Sequence, residues 1–335
     1  MLQFIIPSDE MRRNWRMKAP HPAQRKRSFL SPMNVIRPKE VKNSQYFYIG
    51  ALLMILNYVR HRILGYRTPR TFSIDEIERS IDYDFKVVQA WLAALSRYSK
   101  SENRLRDKVV LELGPGPDLG IGLIILAMGA KKYVAFDSHP LAAAAPFNFY
   151  DKLFVVLSER IKDIRRDYLK EQLEKTYHND PENLAYIVDK GFNISGLKEK
   201  PDLVFSQATF EHFSNVKKSL AELSQIAAPG CLLISEIDLK THTSWIRDRD
   251  PLNIYRYGKR FWRTFRFNGS PNRVRTFEYK KILENNHWRD VRIEPLTVLE
   301  DHYVEKVKPT LDREFRPLDT AEMRNLSVML MARKS

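Results

Sequence analysis

A single cysteine, Cys231, stands in 335 residues. No internal disulfide is therefore available, nor a cysteine-built zinc finger or iron–sulfur cluster, and a reducing compartment is expected. Glycine is scarce at 12 residues, so a stretch that holds several of them close together stands out. No apolar run reaches the roughly 20 residues that a spanning helix needs. The longest, Tyr46–Val59, stops at Arg60 and Arg62. It reads either as a helix docked on the main domain or as an interfacial helix lying on an anionic bilayer. Acidic residues are also short, at 41 against 56 lysines and arginines. The imbalance is local: before residue 71, fourteen basic residues face only Asp9, Glu10 and Glu40. An anionic partner, if present, is expected at this end. Nothing at the start has the basic, apolar and small-residue order of a signal peptide, so a cytoplasmic protein is expected, with peripheral attachment to the inner face of a membrane through this region.

Hydrophobic residues at 43% and aromatics at 11% suit a packed globular chain. Residues 1–45 are rich in proline and charge and read as an irregular arm. Ser73 through Glu78 looks like a capped helix start. From Phe85 to Tyr98, Val87, Val88, Trp91, Leu92 and Leu95 recur at helical spacing. Strands and helices then alternate. Strands are expected at 108–113, 133–136, 186–188, 202–205 and 230–237, with helices from 121, over 153–177 and over 217–227. That order predicts a doubly wound, mostly parallel sheet. The segment 245–279 has no clean period and reads as a lid. Two late strands, 291–298 and 326–332, are expected to pair antiparallel at one sheet edge. The organisation is thus residues 1–80 as arm and hydrophobic helix, 81–240 as α/β core, and 241–335 as lid or acceptor-binding insertion with the last two strands.

The string Val109-Val110-Leu111-Glu112-Leu113-Gly114-Pro115-Gly116-Pro117-Asp118-Leu119-Gly120 carries the chemistry. A buried strand ends in a turn where Gly114 and Gly116 let backbone approach a ligand, and the next helix offers free N–H groups. Asp137 closes the second strand, where a carboxylate accepts hydrogen bonds from both ribose hydroxyls. The spacing is G-x-G-x-x-x-G, not the G-x-G-x-x-G of dinucleotide binders. Glu112, two residues before the first glycine, suits a cationic cosubstrate, an amino-acid ammonium or a sulfonium.

With "DLVFSQATFEHF" at 202–213 and "SLAELSQIAAPGCLLISEIDL" at 219–239, the chain resembles the class I S-adenosylmethionine-dependent methyltransferases. "ISEIDLKTH", "DPLNIYRY", "PNRVRTFEY" and "FRPLDTAEMRNLSVMLMA" resemble, more narrowly, methyltransferases of bacterial surface-polysaccharide gene clusters; Glu236 stands where that pattern has a histidine. The resemblance implies a Rossmann-like, seven-stranded sheet with one antiparallel edge strand, S-adenosyl-L-methionine as cofactor, and no metal. Glu112, Gly114 and Gly116 would hold the methionine end, Asp137 with Ser138 and His139 the ribose, and Asp189 the adenine amine; Ser206 and Gln207 would line the floor. The implied acceptor is a sugar hydroxyl on a glycan or lipid-linked glycan precursor.

Glu211 and His212 read either as a dipole-complementing acid with a packing histidine or as part of the methionine pocket. His242, four residues after Asp238, is a candidate general base or an ordinary loop histidine. Arg273 and Arg275 could clamp a phosphate or carboxylate of the acceptor, and Tyr255 could stack on a sugar or belong to the lid's own core. The competing function is RNA ribose methylation using the basic arm. Base-amine methylation is disfavoured by Ser206-Gln207-Ala208-Thr209 in place of an Asn/Asp-Pro-Pro-aromatic segment.

Overall fold

The computed structural model describes residues 33–63, 76–99, 105–267 and 269–335. Most of the arm expected over 1–45 and the cap expected at Ser73 lie outside the described residues. Eight strands form one sheet: β1 (Asn34–Ile36), β2 (Val109–Leu113), β3 (Lys132–Asp137), β4 (Leu184–Val188), β5 (Leu203–Gln207), β6 (Leu232–Asp238), β7 (Trp288–Leu299) and β8 (Asn325–Lys334), in the order β1-β7-β8-β6-β5-β2-β3-β4. Seven strands were expected. The eighth is β1, three residues that pair parallel with the end of β7, Asn34 opposite Thr297; so short an edge strand leaves no period to read.

A second correction concerns the antiparallel strand. β8 runs against both β6 and β7, inside the sheet and not at its edge. Its residues 325–332 are all buried, as a strand covered on both faces requires. The stretch read as one helix over 153–177 is two, α4 (Phe147–Arg160) and α5 (Arg166–Tyr177). Asp163 at φ 57° turns the chain between them.

Helices cover both faces. α2 (Ile77–Tyr98) and α3 (Gly120–Ala127), with α4 and α5, pack one face, where Trp91 stacks on Phe205 at 4.8 Å between ring centroids. α6 (Val216–Ile226) and α9 (Thr276–Asn285) pack the other. The periodicity read over Phe85–Tyr98 holds: Val87, Val88, Trp91 and Leu95 are buried. The irregular 245–279 segment contains α7 (Ser244–Arg247) and α8 (Lys259–Phe265). It joins α10 (Asp301–Val307) and α11 (Thr320–Met323) around a small third core of Leu252, Tyr255, Tyr303 and Phe315.

The apolar run is α1 (Asn43–Arg62), and one of its faces docks on the lid. Asn253 donates to the Tyr46 carbonyl at 2.9 Å and Tyr257 to that of Phe47 at 3.0 Å. Gly50 sits where any Cβ would strike Asn253 and Tyr257, so a side chain is excluded at this crossing. A buried ion pair anchors the assembly. Arg256 Nε lies 2.7 Å from Asp250 Oδ2, with both side chains fully buried. Tyr303 and Asn253 donate to the same carboxylate, and Arg256 reaches Asn43 at the start of α1.

Removing one member of such a pair strands the other charge in the interior. Asp250→Ala is expected to cost about 3–5 kcal/mol in denaturant unfolding; a loss within experimental error would show that the pair does not hold the lid.

Candidate active site

The chain order reverses between β2 and β5: β3 and β4 follow on one side, β6 on the other. Strand-to-helix connections there leave in opposite directions and open a crevice beyond the carboxyl ends. A cavity of about 710 Å³ occupies it. Its floor is the Gly114–Gly116 turn, the end of β3 at Asp137 with Ser138 and His139, and Gln207, Ala208 and Thr209 after β5. Its roof is α1 through Met54, Asn57, Arg60 and His61, and the lid through Tyr257, Trp262, Phe265, Arg266, Phe267 and Gly269 to Pro271.

Both glycines take left-handed backbone, φ 76° at Gly114 and 79° at Gly116. A Cβ on Gly114 would collide with Thr209, whereas one on Gly116 would meet nothing within 4 Å. The first glycine is thus needed for packing across the switch point, and the second leaves open space beside the backbone. Asp137 is 7% exposed; its Oδ1 accepts the His139 amide at 3.0 Å and lies 3.5 Å from Ser138 Oγ. Burial raises its carboxyl above the usual range, while the His139, Ser138 and Gly116 amides pull the other way. No lysine or arginine pairs with it among the described residues. Gln207 Oε1 is buried without a hydrogen-bond partner. Ala208, at φ 49°, holds a left-handed bend that non-glycine residues rarely adopt, at the cavity wall.

His212 and His242 also line the cavity, ring centroids 5.0 Å apart. His212 belongs to a short 3-10 turn, Phe210–His212, and not to the first turn of α6. Its Nδ1 lies 2.7 Å from the Gly269 carbonyl; burial, with His242 nearby, lowers it to about 4. His242 Nε2 lies 3.7 Å from Asp238 Oδ2. Burial would raise the Asp238 carboxyl, but the His242 ring and Lys240 outweigh it and hold it below the ordinary range. Glu211, His212 and His242 each offer one potential ligand atom within 4.8 Å of the others, a grouping that the expectation of no metal did not include.

Other expected residues do not reach the cavity. Glu112 is buried behind the glycine turn, its Oε2 taking the Tyr133 hydroxyl and its Oε1 without a partner. Asp118 and Asp84 sit near it, forming an acid cluster that the spacing gave no sign of. Asp189 turns its Oδ1 to the Gly191 and Asn193 amides, at 2.7 and 3.2 Å. Ser206 is fully buried and donates to the Leu113 carbonyl, tying β5 to β2. The three acceptor candidates are structural in placement. Arg275 is fully buried, paired with Glu322 at 3.3 Å and bonded to the Asn325 carbonyl at 3.1 Å. Arg273 reaches Glu314 at 3.2 Å between the rings of Trp262 and Phe315. Tyr255 donates to the Leu239 carbonyl at 2.6 Å within the third core. The α1 roof was missed as cavity wall; the glycine and asparagine inside its apolar run, Gly50 and Asn57, were the available signal.

No family profile matches the chain, and no curated protein matches it in sequence. Many solved structures do. One is a chain of the Haloferax volcanii complex between the Trm112 methyltransferase activator and an inferred methyltransferase, at TM-score 0.42 and 11% identity, covering 78% of this chain and 94% of that one. A second is an inferred sarcosine dimethylglycine methyltransferase from Galdieria sulphuraria, at TM-score 0.40 and 14% identity, covering 83% and 97%. A third is phosphoethanolamine N-methyltransferase 2 from Haemonchus contortus in complex with S-adenosyl-L-methionine, at 0.39 and 12%, covering 73% and 52%. These neighbours are methyltransferases of different substrates. Likeness this distant decides nothing about what this chain binds.

Burial, with the charges of Asp118 and Asp137, lifts Glu112 from its ordinary 4.5 to about 8, against the Tyr133 hydrogen bond. The unfolded chain releases this proton near 4.5 and the folded chain near 8. Stability is therefore complete below 4.5 and declines as pH rises through that window, by up to about 1.4 kcal/mol per pH unit. Glu112→Gln is expected to flatten the fall in melting temperature between those values; parallel profiles for variant and wild type would contradict the shift.

Proposed function

We propose that the chain is an S-adenosylmethionine-dependent methyltransferase acting on a sugar hydroxyl of a glycan or lipid-linked glycan precursor. The observation that carries the first part is Asp137, a buried carboxylate without a cation at the carboxyl end of β3, facing a glycine turn whose Gly116 leaves open space. That is what a nucleoside's ribose and the backbone-hugging part of the same cofactor require. Gly114, Gly116, Asp137, Ser138 and Gln207 would hold it. When bound, S-adenosylmethionine supplies an electrophilic methyl group on a sulfonium.

The chain's own residues then have three tasks: to orient an acceptor hydroxyl, exclude water and take one proton. The roof of α1, with Trp262, Phe265, Phe267 and Pro271 of the lid, encloses the acceptor side. His212, neutral through burial, and His242 are the proton acceptors within reach of that space. Among the described residues lining the cavity Asp137 is the one acid, beside Arg266. An arginine at the roof suits an acceptor that carries a phosphate or carboxylate, as a lipid-linked glycan precursor does. The RNA ribose reading draws on the same arginine and on the basic excess before residue 71; salt-sensitive RNA binding separates it from the glycan reading.

The outward face of α1 carries Tyr48, Leu52 and Leu56, 71%, 56% and 52% exposed. No helix among the described residues is long and apolar enough to cross a membrane. An apolar row bordered by basic residues suits contact with an anionic bilayer surface, where a lipid-linked acceptor resides. Leu52→Asp with Leu56→Asp is expected to abolish co-sedimentation with anionic vesicles and leave cofactor affinity unchanged. Retained sedimentation would remove the membrane reading.

Asp137→Ala is expected to weaken S-adenosylmethionine binding, read by calorimetry, by about 1–3 kcal/mol through lost charge-assisted hydrogen bonds. Unchanged affinity would overturn the ribose role. Mass spectrometry of glycans from cells with and without the gene tests the acceptor, a missing methyl increment being the expected result.

A further inference from the structure

Glu211 is 1% exposed, and neither carboxylate oxygen has a hydrogen-bond partner. The backbone amides of Glu211 itself and Asp238 lie near enough to favour the ionised form without closing a bond, and burial still pushes the carboxyl well above its usual range. Both oxygens are thus buried polar atoms on which no hydrogen bond closes, a costly arrangement.

The neighbours indicate what would relieve it. With the Gly269 carbonyl 2.7 Å from His212 Nδ1, the proton sits on Nδ1, and Nε2 is left with a bare lone pair. An imidazole that donates one nitrogen to a backbone carbonyl and keeps the other free is oriented as metal-bound histidines are. His242 Nε2 is buried and closes no hydrogen bond, its facing group being Asp238 Oδ2 at 3.7 Å, a carboxylate already held by Lys240 at 3.2 Å. One potential ligand atom from each of Glu211, His212 and His242 thus converges within 4.8 Å, with the two histidines at the wall of the cavity and Glu211 buried beside them.

We propose that Glu211, His212 and His242 form a binding site for one divalent cation of borderline softness, such as Zn²⁺, open to the cavity. Two imidazoles and a carboxylate suit such ions and leave coordination positions for a further ligand. Both chain segments that carry these residues follow strands at the switch point, β5 for Glu211 and His212 and β6 for His242. The site therefore lies on the acceptor side of the glycine turn. Its use, though not its existence, rests on the methyltransferase reading: a cation there would favour the ionised form of an acceptor hydroxyl, whose proton would pass to solvent because His212 and His242, holding the cation, would no longer accept it.

The test uses the full chain, stripped of metal and titrated with Co²⁺, read by visible absorption. One equivalent is expected to bind and to be displaced by Zn²⁺. Glu211→Gln and His242→Ala are each expected to weaken it by about tenfold or more, while His302→Ala, on the exposed surface of α10, leaves it unchanged. Should His242→Ala fail to fold, the nearly isosteric Glu211→Gln decides alone. Absence of Co²⁺ binding, or binding that Glu211→Gln does not weaken, overturns the site. Calorimetry with S-adenosylmethionine on the same preparations keeps the two readings apart. Cofactor binding without Co²⁺ binding refutes the metal site alone, and Co²⁺ binding without cofactor binding supports the site while refuting the methyltransferase reading.

Discussion

The side-by-side pairing of β2 with β5 fixes the geometry of everything that follows. Glu112 lies opposite Phe205 and Leu113 opposite Ser206, and Ser206 seals the end of this register with its bond to the Leu113 carbonyl. Because the two strands run parallel and their continuations diverge, nothing in the sheet fills the space beyond their ends. Gly114 closes against Thr209 across that gap so tightly that no side chain fits. Asp137, Gln207 and both cavity histidines are arranged around this one junction. Their positions are a property of the sheet more than of the loops that carry them.

What the sequence disclosed was what repeats or what is punctuated by glycine. Val87, Val88, Trp91 and Leu95 announced a helix face because burial recurs with the helical period. Gly114, Gly116 and Asp137 announced a crevice because turn chemistry and strand ends are local. The failures share a cause. Arg275 looks like an anion clamp in one dimension, yet Glu322 and the Asn325 carbonyl, some fifty residues later, enclose it completely. Asp189 stands where an adenine contact is expected, but local amides claim its carboxylate first. β1 is too short to show a period, and within α1 only Gly50 and Asn57 hinted at which surface it would cover. Glu211, His212 and His242 come from two strands and converge only in three dimensions.

Two sets of acids mark the two sides of the glycine turn. Behind it Glu112, Asp118 and Asp84 are buried together, and burial raises all three. In front of it the cavity exposes only Asp137 to its contents, among the described residues. The first set makes the region beneath the turn electrically costly to ionise fully, and it stays out of contact with the cavity.

The roof helix is gripped by its main chain and by its inward side chains. Asn253 and Tyr257 bind carbonyl oxygens of Tyr46 and Phe47, Gly50 packs at the crossing, and Asn57, Tyr58 and His61 meet Thr243, Phe265 and Phe267. None of these contacts reads the identity of a side chain pointing away from the lid. The outward surface of this helix can therefore be rewritten residue by residue, towards a greasy, charged or inert coat, while the chamber beneath keeps its shape: where the protein goes and what it encloses are separately adjustable by mutation.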